Sequence, residues 1–503
     1  MRRVAIVGGG IAGLTAAYEL ARLASEGAEI EAVLFEASHR LGGLIETVRE
    51  GGFTIECGPD GWVSAKPWAR ELAVELGLAD ELIGSNDATR KTHIFLTTTG
   101  HPSGRLAPMP DGLNMMAPAS LAALDSLATS PLFSEAAIAA YRAEPARAEE
   151  LRAAAPAQDE SVADFTLRHF GPEVLDRVAA PLLSGVFGGD VRRLSVRAVM
   201  PAFVDLERKY GSVIAGLHAQ NAKVRAQLPI FTALRSGLGT LVDRLAGAIP
   251  AEWIRRGTRV TAVQANARGS NTRPWTVNAA TADKRHASED FDAVLLATPL
   301  NATRELLTQL DQHAAGLLPA ESSSAVLVAF AYADAAQFPL PAGFGFLVPP
   351  SQTHADGMAD SRGSVLLACT FTDQKFAHRV PSGGRLVRAF FGGAAATRVT
   401  NCINDEIAAI ARMEMARILH STAPLAAHMP APPPVLTIVR RWPNSLPQYE
   451  VGHPDRVAEL EGRLRALPGL AGLTILGNAL HGVGIPDLIR DARTAARMTA
   501  KKS

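Results

Sequence analysis

Three glycines, Gly8, Gly10 and Gly13, stand at GxGxxG spacing in the stretch VGGGIAGLTAA. In such a turn the first glycine allows the tight bend and the second lets a pyrophosphate approach the backbone. The third lets a helix pack closely on its strand. Arg3 to Val7 before the turn reads as a short buried strand, and Ala16, Leu20 and Leu23 after it recur at helical spacing. Ile11 and Ala12 therefore sit at a helix N-terminus, where backbone N–H groups face phosphate charge. The next strand, Glu31 to Phe35, runs into Glu36. That acid falls about 20 residues beyond the turn, where a carboxylate accepts hydrogen bonds from ribose hydroxyls. Glycine turns between strands and helices are common, but these flanks and this acid favour dinucleotide binding over a plain turn.

A second glycine-rich turn, GNALHGVGIPDLI from Gly477 to Ile489, runs into Pro486, whose fixed φ suits the first position of a helix. His481 within it reads as a satisfied polar neighbour rather than a catalytic base. The sequence offers no plain catalytic triad, paired-carboxylate motif or metal cluster.

Composition narrows the partners. Among 503 residues, Lys+Arg and Asp+Glu are equal at 50 each, so no overall field favours nucleic acid or an anionic membrane. Cys57, Cys369 and Cys402 lack CxxC spacing, which argues against disulfides and zinc and fits a reducing, cytoplasmic compartment. No run of about 18 apolar residues suggests a membrane span. The soft stretch GLNMMAPASLAAL, Gly112 to Leu124, reads as a buried helix or loop. Its alternative is a lipid-facing or substrate-covering flap, which leaves a peripheral contact at the inner face of the membrane open.

Along the chain, Ser120 to Glu150 is helical in period, Ala153 to Asp159 makes a surface break, and two more helices flank Gly171 and Pro172. RRGTRVTAVQA and FDAVLLATP then read as strands, the second ending at Pro299, and this return to mixed α/β character suggests a discontinuous domain. AVLVAFAYA, GSVLLACTF and LVRAFFGG look like neighbouring strands of a second sheet, separated from the last region by the Pro-rich Ala431 to Val435.

ASHRLGG, Ala37 to Gly43, follows Glu36 at once and places Arg40 where it could meet a diphosphate, with Gly42 and Gly43 where backbone must pass close to a ring. With this turn the chain resembles the flavoprotein superfamily of amine oxidases, phytoene desaturases and porphyrinogen oxidases. FTIECGPDGWVSAKPWARELAVELGL from Phe53, DESVADFTLRHFGPEVLDRVAAPLLSGVFGGDVRRLS from Asp159, GFGFLVP from Gly343 and RWPNSLPQYEVGH from Arg441 narrow the likeness. In order and spacing they are similar to the protoporphyrinogen and coproporphyrinogen oxidase family. LSGVFGGD is the most specific, expected as a non-helical turn that exposes backbone amides and carbonyls.

The resemblance implies an α/β (α+β) fold with a discontinuous Rossmann-type FAD-binding domain over 1–88, 225–300 and 440–503. It also implies a mixed-sheet substrate domain over 89–112 and 301–439 and a helical subdomain over 113–224. FAD would be non-covalent, held by the N-terminal residues above together with Gly58, Pro59, Gly61, Val260, Ala297 and Trp442. Gly477 and Asn478 would approach the ribityl and diphosphate. Val483, Gly484 and Ile485 would present N–H groups to the flavin's pyrimidine edge, where reduction places negative charge. The substrate would be a porphyrinogen, oxidised in three two-electron steps to flavin N5 with O2 as final acceptor and H2O2 as by-product. Arg90 or Lys91 would meet its propionates, Gly185, Phe187 and Gly188 would line its site, and Phe376 would stack on the macrocycle or pack in the core. A homodimer is left open. The rivals are a flavin amine oxidase, short of one aromatic because no Phe, Trp or Tyr follows Tyr449, and a non-enzymatic binding protein on the same architecture.

Overall fold

In the computed structural model, residues 1–98, 101–221, 228–266, 273–283, 285–352, 365–420 and 433–501 are described. Strand β1 (Arg2–Val7) alternates its side chains between two cores, as the period of a strand dictates. Val4 and Ile6 enter one, Ala5 and Val7 the other. Helix α1 (Ile11–Ser25) follows, then β2 (Ile30–Phe35). Three later segments complete a five-stranded sheet: β3 (Ile254–Arg255), β4 (Ala293–Leu296) and β5 (Leu473–Ile475). The order is β3-β2-β1-β4-β5, and every pairing is parallel. Parallel sheets are covered on both faces. One cover is α1 together with α2 (Ile485–Lys501), and the other includes a three-stranded antiparallel sheet that contributes Val263, Trp275, Val277 and Phe291. RRGTRVTAVQA supplies the first strand of that layer, Thr258–Ala265, and FDAVLLATP supplies β4.

A seven-stranded sheet forms the second layer, in the order Leu436–Pro447, Ser322–Tyr332, Arg385–Gly392, Ala368–Phe371, Gly345–Leu347, Thr92–Thr98, His101–Pro108. AVLVAFAYA, LVRAFFGG and the ACTF end of GSVLLACTF are thus direct neighbours. Gly363, Ser364, Ala431 and Pro432 lie outside the described residues, as does the expected boundary at 224/225. The boundary expected at 440 falls inside Leu436–Pro447, which belongs to this sheet along its length because it pairs with Ser322–Tyr332.

Between them, residues 113–221 form a mostly helical layer. Its soft opening is a short antiparallel hairpin, Leu113–Asn114 against Ala117–Pro118, rather than a helix. The helix Ala148–Ala154 ends at the predicted break, and Gly171 closes Val162–Phe170 at φ 85 before Pro172 starts the next turn. LSGVFGGD differs from expectation: helix Ala180–Phe187 runs through Gly185, and only Gly188 and beyond leave it. The apolar run APLLSGVF supports a helix that offsets the cost of one glycine, about 1 kcal/mol. Among the described residues, no helix is long and apolar enough to cross a membrane.

Candidate functional site

Both glycine turns lie at the carboxyl edge of the parallel sheet, after β1 and after β5, where ligands of open α/β sheets bind. At the first, a Cβ on Gly13 would lie 1.9 Å from the Gly8 carbonyl oxygen, and one on Gly8 would lie 2.4 Å from the Ala297 oxygen. Ala297 itself donates its N–H to Val7 at 2.8 Å. Gly10 caps α1 without a side chain, and the first turn, Ile11 to Gly13, holds no acid. Its first N–H groups are therefore left without helical partners and with no acid on the helix's own first turn. Gly42 donates to the Gly9 carbonyl at 2.8 Å, and a Cβ on Gly43 would reach 3.1 Å from the Gly10 Cα, so the RLGG turn lies directly on the first turn. At Gly8, Gly13 and Gly42 the packed turns leave no room for a side chain.

Glu36 accepts from Gly9 N–H at 2.7 Å and Ser38 N–H at 2.8 Å. A carboxylate offers about four acceptor sites, so two remain for ribose hydroxyls. Ala37 beside it is exposed. Thr258 N–H donates to the Glu36 carbonyl at 2.8 Å, which brings the strand carrying half-buried Val260 to the same end. Arg40 departs from expectation. Its guanidinium donates to the carbonyls of Leu41 at 3.1 Å, Ile45 at 2.7 Å and Gly43, and lies 5.9 Å from the Trp442 ring. It staples its own turn, because those carbonyls converge on it. Trp442 donates to the Cys57 carbonyl at 2.6 Å, tying the second sheet to the segment with Gly58, Pro59 and Gly61. A Cβ on Gly58 would lie 2.0 Å from the Leu44 oxygen, so this segment backs the cradle.

The C-terminal turn is held by polar contacts. Asn478 donates to the Ser445 carbonyl at 2.7 Å and accepts from the Tyr449 hydroxyl at 2.6 Å. Tyr449 stacks on His453 at 4.2 Å. Burial pushes His453 down to about 4, so it is neutral as it meets the Leu480 carbonyl at 2.7 Å. Gly477 bends at φ 103, Val483 packs against the helical layer, and Gly484 leads into Ile485 at the start of α2. His481 is no base: hydrogen bonds to Asp491 and then Glu461, each at 3.3 Å, raise it to about 9 and keep it protonated.

On the substrate side, Phe187 lies 6.4 Å from the Tyr449 ring, and Cβ atoms on Gly188 and Gly189 would lie 2.5 Å from Ser323 Oγ and 2.3 Å from Gln448 Oε1. LSGVFGGD and PQYEVGH, far apart in sequence, are therefore in contact, and Tyr449 links both to the C-terminal turn. Gly185 is exposed, with Leu347 of GFGFLVP near it. Phe376 is a correction. It is 1% exposed and packs with Ile83 and Ala233, so its ring has no free face for a macrocycle. Arg90 and Lys91 are exposed beside Phe344, whose N–H donates to the Lys91 carbonyl at 2.7 Å.

The sequence reading missed a buried charge cluster behind Gly58. Asp60 accepts from Lys375 at 3.0 Å and Arg388 at 2.6 Å, and Arg388 also donates to the Glu56 and Gly58 carbonyls at 3.1 and 2.9 Å. Burial alone would raise the Asp60 carboxyl, but Lys375 and Arg388 outweigh it and hold it well below the usual range. Arg379, wholly buried, pairs with Glu56 at 2.8 Å. No local signal marks these pairs, since Asp60 and Lys375 stand 315 residues apart.

A parallel sheet with a glycine-capped helix after its first strand, an acid after its second and a returning C-terminal helix is the architecture of an FAD-type dinucleotide-binding protein. The model of the flavin containing amine oxidoreductase family matches residues 11–498, and the chain belongs to that family. It is a flavoenzyme, and FAD is its cofactor. Coproporphyrinogen III oxidase of Bacillus subtilis (strain 168) is 30% identical, covering 98% of this chain and 97% of that protein. Protoporphyrinogen oxidase 1, chloroplastic, of Arabidopsis thaliana is 27% identical over 98% of this chain and 86% of its own length. A crystal structure from Exiguobacterium sp. 255-15, assigned as a protoporphyrinogen oxidase, superposes with a TM-score of 0.78 at 27% identity, covering 100% of this chain and 99% of that one.

Proposed function

We propose that the protein oxidises a porphyrinogen to the porphyrin, with coproporphyrinogen III ahead of protoporphyrinogen IX, using O2 and releasing H2O2. The observation that carries this reading is the contact of Phe187 with Tyr449 and of Gly189 with Gln448, since Tyr449 in turn donates to Asn478 of the C-terminal glycine turn. Full-length relatives named for coproporphyrinogen III support the choice of substrate. Bound FAD supplies two-electron acceptance at each oxidation.

The chain's own residues hold and orient. Helix Ala180–Phe187 ends here, and the carbonyls of a helix's last turn lack helical partners. The Ser184 carbonyl is taken by Gly188 N–H at 2.9 Å, whereas those of Gly185 and Val186 would accept from pyrrole N–H groups. Arg90 and Lys91 are the cations offered to propionates. Protonated His481 cannot take a proton near pH 7, which suits a reaction driven by the cofactor. Exposed Met115 and Leu121 support a peripheral membrane contact near the hairpin.

Purified protein should be yellow and should turn over coproporphyrinogen III faster than protoporphyrinogen IX in parallel assays read as porphyrin fluorescence. Turnover of amines without porphyrin formation would overturn the proposal.

A further inference from the structure

The first turn of α2 contains a carboxylate that the proposed reaction does not use. Asp487 is 4% exposed, and its Oδ2 meets Lys66 Nζ at 2.6 Å while Oδ1 meets Arg490 at 3.3 Å. Cβ atoms on Gly482 and Gly484 would lie 3.1 and 3.2 Å from that same Oδ2. The carboxylate thus lies against the turn through Gly482 and Gly484, and the FAD reading aims the N–H groups of Val483, Gly484 and Ile485 in that turn at the flavin. Lys66 is 48% exposed and sits on the Phe53–Leu78 segment, which contributes to the cradle from the opposite end of the chain. The pair bridges the two halves of the cofactor site.

Reduction adds negative charge to the edge of the flavin facing this turn. A fixed anion there opposes that charge, and a cation held against the anion cancels part of the opposition. We propose that Asp487 and Lys66 set the reduction potential of the bound flavin, the carboxylate lowering it and the ammonium restoring it. Both are positioning residues acting through charge. The inference rests on the FAD assignment and goes beyond it, since it concerns neither substrate nor cofactor identity.

The test is the potential of the FAD in the intact holoprotein, measured without substrate by equilibration against a reference dye. D487N should shift the reduction equilibrium about tenfold towards reduced flavin, which is about 30 mV upward for a two-electron couple. K66M should shift it by a similar factor in the opposite direction, and the double variant should return close to the parent. Damage to packing would not give opposite signs. Shifts of the same sign, or a K66M potential equal to the parent's, would overturn the inference. Should D487N not fold, K66M decides it alone, because half-exposed Lys66 can be replaced without opening the core. A colourless parent would instead remove the FAD assignment and the inference together, whereas a yellow parent with unmoved potentials removes only the inference.

Discussion

At the end of β1 the chain turns through Gly8 and enters α1 with no acid in the first turn; at the end of β5 it turns through Gly477 and enters α2 with Asp487 buried there. Both turns connect a parallel strand to a helix at one edge of the same sheet. The first is packed backbone against backbone, with Gly13 closing on Gly8 and Gly43 on Gly10. The second is held by side chains: Asn478, Tyr449, His453 and the Lys66–Asp487 pair. The first helix offers its N–H groups with no acid in its own first turn, and the carboxylate beside it, Glu36, is held by Gly9 N–H. The second holds a buried carboxylate together with its counterion.

The largest expected effect separates the two turns. In Gly13→Ala the new Cβ meets a backbone oxygen that cannot move aside, a cost of about 3 kcal/mol for overpacking. The purified variant should lack the flavin absorbance near the visible band of the parent and melt earlier. Gly484→Ala places its Cβ 3.2 Å from a side-chain oxygen of Asp487, which needs to give by only a few tenths of an ångström; its cost should be below about 1 kcal/mol, and FAD should be retained. Equal losses at the two sites would break the comparison.

Glu36→Ala should come next, weakening FAD binding by about 1.5 to 3 kcal/mol, the range for hydrogen bonds to charged groups. Titration calorimetry on apoprotein reads this directly, and an unchanged affinity would show that the two free acceptor sites of Glu36 do not meet the cofactor. The smallest effect concerns His481 in the second turn. Its pKa, raised to about 9 from 6.5 by Asp491 and Glu461, gives a stabilising contribution that is complete below about 6.5 and lost as pH rises through about 9. Melting temperature should therefore fall across that interval more in the parent than in H481Q.

The first strand–turn–helix unit and the turn and helix start after Gly477 were legible because their signals are local, glycines, a proline and apolar periodicity within a few residues, whereas the strand Leu473–Ile475 is too short to show a period. Glu36 was legible because its distance from the turn is set by the length of one helix and one strand. Gly185 was misread as part of an irregular turn because glycine spacing alone does not reveal that packing of Pro181 and Leu183 carries a helix through it. For Phe376 the family pattern left stacking on a macrocycle and core packing both open, and the burial against Ile83 and Ala233 that favours the core is a property of three distant segments. The Asp60–Lys375–Arg388 cluster was invisible for the same reason, and Arg40 because nothing in ASHRLGG shows its carbonyls curling back onto the guanidinium.

Strand order in the five-stranded sheet carries a consequence for biogenesis. β5 occupies one edge and can add to β4 only after Leu473–Ile475 has left the ribosome, with α2 later still. A nascent chain can shape the first glycine turn early, but the turn between β5 and α2 forms only after those later residues have been made. The edge of β4 therefore stays open until β5 arrives, and the parallel sheet is complete only once nearly the whole chain has been made.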